Sequence, residues 1–179
     1  MKILAISGSL RTKSFNTALL RTAETVMPEG SSLTIQTLHG IPLYNADDEM
    51  NSGFPPAVIA LQKAIVEADA LLIATPEYNN SIPGVLKNAV DWVSRPSADY
   101  KRVFAGKKVA IIGASPGGFG TILPQNTWLS VFRSFGSDLW FGGRLMVSRA
   151  ASVFDRDGNM TDERTKDSLQ KFLADFVES

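Results

Sequence analysis

Chemistry in this chain concentrates in three polar, glycine-bearing segments. The first is Gly8-Ser9-Leu10-Arg11-Thr12-Lys13-Ser14-Phe15-Asn16-Thr17. It offers hydroxyls, two cations, an amide side chain and the free N–H groups of a helix start. Such groups suit a phosphate, because a helix N-terminus carries unpaired donors and partial positive charge. Local composition fits equally a Ser14 N-cap with a solvated turn before it. The segment lacks the second glycine of a P-loop despite Lys13-Ser14, and it lacks G-x-G-x-x-G.

The second segment, Thr75-Pro76-Glu77-Tyr78-Asn79-Asn80-Ser81-Ile82-Pro83-Gly84, is rich in hydrogen-bonding groups and carries one aromatic. A planar heterocycle can rest against it. Alternatively Ser81 caps the next helix and Tyr78 is an ordinary surface or interface aromatic. The third, Gly113-Ala114-Ser115-Pro116-Gly117-Gly118-Phe119-Gly120-Thr121, can bring backbone N–H groups close to an anionic ring edge. It can equally be a flexible turn. The chain has no cysteine and a single histidine, His39. Disulfides, thiolate metal sites and a cysteine nucleophile are therefore excluded, and a Ser-His-Asp triad could use only that histidine.

The elements that must position these segments alternate in type. Apolar runs at Ile3–Ile6, Ala70–Ala74, Lys108–Gly113 and Leu145–Val147, with an alternating stretch through Leu33, Ile35 and Thr37, predict five strands. Helical spacing predicts helices over Asn16–Met27, from Pro55-Pro56 through Ala68, over Gly84–Val93, Gln125–Phe135 and Asp162–Val177. Five βα repeats imply an α/β fold with a parallel sheet covered on both faces. The stretches Pro42–Phe54, polar over Asn45–Gly53, and Arg95–Gly106 are predicted as long loops over a site or subunit contact. In such a sheet ligands bind beyond the carboxyl ends of the strands, where all three segments lie. The second strand ends at Leu38-His39-Gly40, without the acid that holds an NAD ribose. A bound mononucleotide fits better than a classical dehydrogenase cofactor.

Length and composition set the outer limits. The 179 residues, 44% hydrophobic, suit one domain spanning 1–179. Eighteen basic residues balance eighteen acidic ones, so overall charge marks the chain neither as a nucleic-acid binder nor as a membrane-surface protein. Ser7-Gly8-Ser9 interrupts the first apolar run too early for a signal segment, and no run reaches the length of a bilayer span. A cytoplasmic location is expected.

Together the segments resemble the NADPH-dependent FMN reductases, a family with bacterial chromate, quinone and azo-dye reductases. The matching pieces are Gly8-Ser9-Leu10-Arg11 with Ser14-Phe15-Asn16, then Pro76-Glu77-Tyr78-Asn79 with Ser81, Pro83-Gly84, Leu86-Lys87-Asn88 and Asp91-Trp92. Ser115-Pro116-Gly117-Gly118 with Gly120-Thr121 completes them. The similarity runs from Met1 to the last helix. It implies a flavodoxin-like three-layer α/β/α sandwich with a five-stranded parallel sheet in order 2-1-3-4-5. It implies FMN as cofactor, with Ser9, Arg11, Ser14, Phe15, Asn16 and Thr17 around its phosphate. Pro76, Glu77, Tyr78, Asn79 and Ser81 would line the ribityl chain and ring, and Ser115, Gly117 and Gly118 would approach the other side. Arg11 serves either the FMN phosphate or an incoming phosphorylated cofactor.

The activity implied is hydride transfer from NADPH or NADH through flavin N5 to a small acceptor, by ping-pong kinetics on one shared face. No catalytic side chain is demanded, and Glu77 as general base is disfavoured. The resemblance also implies a homodimer or homotetramer. Its contact surfaces are sought on the helix with Trp92 and along Arg95–Phe104, with core packing an equal reading for Trp92. An electron-carrier flavodoxin is the competing reading, against which the balanced charge speaks. A phosphate-receiving signalling domain would need an aspartate where Thr75-Pro76 stands and acids where Ser7-Gly8-Ser9 stands.

Overall fold

A computed structural model describes residues 1–96 and 100–179. Three residues of the expected Arg95–Gly106 loop and of the Arg95–Phe104 contact surface, 97–99, lie outside the described residues.

Strands β1 (Lys2–Ser7), β2 (Ser32–Gln36), β3 (Ala70–Ala74) and β4 (Lys108–Ala114) form a parallel sheet in the order β2-β1-β3-β4. The fifth place is shared by two short strands, both parallel to β4. β5 (Asp138–Leu139) pairs at its start and β6 (Leu145–Val147) at its end. The expected order 2-1-3-4-5 therefore stands, with its last position split. Two-residue β5 is too short to leave a pattern in the sequence.

The three central strands are buried on both faces, and alternate residues serve opposite cores. Ile3, Ala5, Leu72, Ala74, Ala110 and Ile112 face α1 (Phe15–Thr25) and α7 (Glu163–Glu178). Leu4, Ile6, Leu71, Ile73, Val109 and Ile111 face the other side. There they meet α3 (Pro56–Glu67), α4 (Gly84–Val93), α5 (Tyr100–Phe104) and α6 (Ile122–Ser134). The result is the three-layer sandwich expected. The last helix is held by Leu169, Phe172, Leu173 and Phe176, all buried. Each such side chain contributes about 1.5–3 kcal/mol of burial. Asp162 caps it by accepting from the Thr165 N–H.

Three expectations change. The segment read as a loop over Asn45–Gly53 contains α2 (Ala46–Ser52), and α5 lies in the other long loop. α2 buries no residue, so it has no apolar stripe to read. Its signals are an Asn45 cap and Asp47, Asp48 and Glu49 in the first turn, which suit the positive end of a helix. α6 starts at Ile122 rather than Gln125, carrying Pro124 in its first turn. Trp92 is a core residue rather than a subunit contact. It is 1% exposed, its ring meets Tyr44 edge-on at 4.9 Å, and its indole N–H donates to the Pro42 carbonyl. That bond fastens the segment before α2 onto α4.

Among the described residues no helix is long and apolar enough to cross a membrane.

Candidate functional site

The three segments leave the carboxyl ends of β1, β3 and β4, neighbouring strands, and so converge. Their bases approach closely because glycine is present. The Gly8 N–H donates to the Ala74 carbonyl at 2.8 Å. A Cβ on Gly8 would stand 2.9 Å from Pro76 Cδ and 3.0 Å from the Ala74 oxygen. One on Gly113 would stand 2.1 Å from Thr121 Oγ1 and 2.4 Å from the Thr75 oxygen. The Gly113 contacts leave no room for a side chain and the Gly8 contacts stand at the limit of what a real Cβ shows, so the close approach of second to third segment requires glycine and that of first to second favours it.

Buried polar side chains lock the bases. The Asn16 amide forms a reciprocal pair with the Ala114 backbone, donating to its carbonyl and accepting from its N–H, both at 2.9 Å. Thr17 Oγ1 pairs with Ser7 Oγ at 2.7 Å. Ser14 caps α1, accepting from the N–H groups of Asn16 and Thr17. Thr75 is fully buried; its hydroxyl donates to the Pro76 carbonyl and accepts from the Trp128 indole at 3.1 Å. Gln125 donates to Thr121 Oγ1 and to the Leu145 carbonyl, joining α6 to β6. Thr75 opens the second segment and Gln125 the helix expected over Gln125–Phe135, but no local pattern shows that Thr75 meets Trp128 or that Gln125 meets Leu145.

The tips are built differently. Tyr78 and Ser81 exchange backbone hydrogen bonds at 3.1 and 3.0 Å across Asn79 and Asn80, whose φ values are 50° and 62°. This is a two-residue hairpin turn of the kind that needs positive φ at both central positions. Ser81 is thereby used in the turn. It does not cap α4, whose N-cap position is Pro83 without a side-chain bond. The turn presents Tyr78 at 43% exposure, with its hydroxyl 3.4 Å from Ser9 Oγ. In the third segment the Ser115 hydroxyl donates to the Gly120 carbonyl and its N–H to Val147. Arg149, at φ 48°, donates its N–H to the Gly117 carbonyl, and the Ala150 N–H goes to Ser115. Gly117 and Gly118 themselves stand exposed. Phe15 turns its ring toward Phe154 at 5.8 Å, and the Arg11 side chain is exposed. His39 contacts Thr37 Oγ1 and the Leu10 carbonyl, bracing the first segment, with no serine among its partners.

Comparison with known proteins gives one consistent result. A family model described as NADPH-dependent FMN reductase matches residues 1–151. The chain belongs to that family. An NAD(P)H-dependent FMN reductase of Pseudomonas aeruginosa is 43% identical over 173 residues, covering 97% of this chain and 91% of that one. A 2-hydroxy-1,4-benzoquinone reductase of a Burkholderia species is 39% identical over 177 residues, covering 99% and 94%. Among solved structures, the flavoenzyme FerB of Paracoccus denitrificans, an NAD(P)H:(acceptor) oxidoreductase, superposes with a TM-score of 0.85 at 35% identity. That match covers 99% of this chain and 95% of FerB. The chain is accordingly a flavin reductase-type enzyme, with FMN as cofactor and NAD(P)H as donor.

The residues of this member of the family fit FMN. The backbone N–H groups of Thr12, Lys13 and Phe15 donate to no atom of the described residues, nor do those of Gly117 and Gly118. The first set suits a phosphate, the second an electron-rich ring edge. Glu77 Oε2 is buried and has no partner. A buried acceptor of that kind calls for a donor, which ribityl hydroxyls and a ring N–H supply.

Proposed function

We propose that this enzyme takes a hydride from NAD(P)H and passes it to quinones, with azo compounds, free flavins and chromate as further acceptors, by a ping-pong sequence. The observation that carries this is the division of the site into a saturated base and an open rim of unpartnered donors. The relatives named as quinone reductase and acceptor oxidoreductase support the acceptor class.

Bound FMN supplies the hydride chemistry at its N5. This chain's residues hold and orient it. Ser9 and Arg11, with the N–H groups of Thr12, Lys13 and Phe15, take the phosphate. Ser14, Asn16 and Thr17 keep that loop in shape through their bonds to α1, Ala114 and Ser7. Pro76, Glu77, Tyr78 and Asn79, held by the Ser81 turn, line the ribityl chain and ring. Ser115 fixes the third segment, so that the N–H groups of Gly117 and Gly118 hold negative charge at the ring edge. No side chain is needed as acid or base. Donor and acceptor share the open face beside Tyr78 and Gly117, where nothing buried selects the acceptor's shape. The same reading includes the homodimer or homotetramer that the family resemblance implies. A nicotinamide donor suits work in the cytoplasm.

The test is direct. The purified protein should show flavin absorbance or take up added FMN. It should oxidise NADPH or NADH against a quinone panel, with parallel lines in double-reciprocal plots. A colourless protein that neither binds FMN nor oxidises either nucleotide overturns the reading.

A further inference from the structure

A groove of about 580 Å³ starts at the FMN loop, and its part beyond that loop, toward Arg21 and Arg156, has no role in the reaction described above. One wall is the loop Arg11–Phe15 continued down α1 to Arg21; the other runs from Ala151 to Gly158. Of the residues expected around FMN, Arg11, Ser14 and Phe15 border it, and those of the second and third segments do not. The volume is that of an ordinary small-molecule pocket.

Its chemistry is two-sided. Part of its lining is aromatic: Phe15 and Phe154 stack with ring centres 5.8 Å apart and planes 26° apart. Arg11, Lys13, Arg21 and Arg156 line it as well, and none of them forms an ion pair among the described residues. Two carboxylates also border it. That of Asp155 is turned into its own loop, accepting from the N–H groups of Asp157 and Asn159 and from the Asn159 amide. Asp157 remains, so the cations outnumber the free acid. Partly buried Phe15, backed by buried Phe154, beside surplus cations suits an aromatic base carrying phosphates.

The groove's position narrows the ligand. At one end it shares Arg11 and Lys13 with the FMN phosphate loop. At the other, Ala151 follows Arg149 and Ala150, whose N–H groups hold the Gly117 and Ser115 carbonyls of the ring segment. The groove thus borders the loop proposed to hold the FMN phosphate and adjoins the chain that braces the ring segment. Arg21 lies seven residues beyond Ser14, about 10 Å along the axis of α1. That places it about two helical turns beyond the loop.

We propose that this groove receives the phosphorylated adenosine end of NADPH, with Arg21 and Arg156 recognising the 2′-phosphate that NADH lacks. The proposal rests on the reductase reading above and adds to it the residues that set donor preference. Arg21 and Arg156 are exposed and lie outside the three FMN segments, so replacing them tests the groove without disturbing the flavin site.

The experiment uses the FMN-loaded protein, wild type and the double variant Arg21→Ala/Arg156→Ala. Calorimetric titration with 2′,5′-ADP and with 5′-AMP reads binding; kcat/KM for NADPH and NADH reads use. Wild type should bind 2′,5′-ADP at least tenfold tighter than 5′-AMP. The double variant should lose that difference, and its NADPH-to-NADH ratio of kcat/KM should fall about tenfold, through KM rather than kcat. The wild-type preference should also shrink with added salt, because exposed charges carry it. Equal binding of the two nucleotides by wild type overturns the proposal. So does a ratio unchanged in the double variant, or inorganic phosphate competing as well as 2′,5′-ADP. Flavin reduction by either nucleotide in those cases leaves the reductase reading intact; loss of FMN binding or of all nucleotide oxidation in wild type is failure of that reading instead.

Discussion

The base and the rim of the site are built on opposite principles. At the base, Gly8, Gly113, Asn16, Thr17, Thr75 and Trp128 have no freedom left. Every side-chain donor and acceptor there has a protein partner, and Gly113 sits where no side chain fits. At the rim, Arg11, Tyr78, Gly117 and Gly118 are exposed, and backbone donors stand free. The difference separates two tasks that composition alone mixes together. The base holds three loops in register on neighbouring strands, which is a matter of folding. The rim, in the function proposed, meets cofactor and substrates, which is a matter of binding. Mutations at the two levels should therefore fail differently.

The largest effect is expected at the base. Gly113→Ala forces a Cβ to within 2.4 Å of a backbone oxygen that cannot rotate away. Overpacking of this severity costs about 3 kcal/mol or more. Thermal unfolding should show a large fall in Tm, with FMN uptake lost alongside it. A variant with wild-type Tm would mean that the second and third segments are not pressed together as described. Asn16→Ala comes next. It strands the buried N–H and carbonyl of Ala114, and a cost of about 2 kcal/mol is expected. Denaturant titration should report that loss. If stability instead holds while FMN affinity falls a hundredfold, Asn16 is a rim residue in function and the division is misplaced.

The same contrast explains what the sequence reveals. Ala70–Ala74, Leu145–Val147 and Gly84–Val93 have the same bounds in the structure as in the pattern. The first is buried throughout, and Pro83-Gly84 marks where the helix begins. α2 is missed because it buries nothing, and β5 because two residues make no period. Within the site, local composition marks out all three loops as polar and glycine-rich strand ends but leaves an ordinary turn open at each; their joint resemblance to the family is what points to a cofactor. It does not divide their labour. The family resemblance implies that Asn16 and Thr17 surround the phosphate. Asn16 is engaged with Ala114, 98 positions away, and no local window contains that partner. The donor preference has the same origin: Arg21 and Arg156 are ordinary surface cations until the fold sets them across one groove.

Glu77 lies between the two levels. Its Oε2 is buried without a partner, yet the residue itself is partly exposed. If its role is to accept a hydrogen bond from the cofactor, Glu77→Gln keeps one acceptor oxygen and adds a donor. Hydride transfer should then stay within about tenfold, a barrier change near 1.4 kcal/mol. Stopped-flow bleaching of the flavin by NADPH measures this step. A thousandfold loss would make Glu77 a catalytic residue and require proton transfer at the rim.

The smallest effect is expected at Tyr78, and it tests the rim most cleanly. Its hydroxyl meets Ser9 Oγ at 3.4 Å, long for two hydroxyl groups, and the ring is nearly half exposed. Water can replace that contact, so Tyr78→Phe should change stability by less than about 0.5 kcal/mol. FMN affinity should hardly move, because the Tyr78–Ser81 turn is built from backbone bonds and positive φ at Asn79 and Asn80, none of which the hydroxyl supplies. KM for bulky quinones is the parameter to watch, since the ring borders the open face; a change of severalfold with kcat preserved is expected. Should Tyr78→Phe cost as much stability as Asn16→Ala, the rim is as tightly held as the base, and a site with a free face would have to be abandoned as the ground for the broad acceptor use proposed.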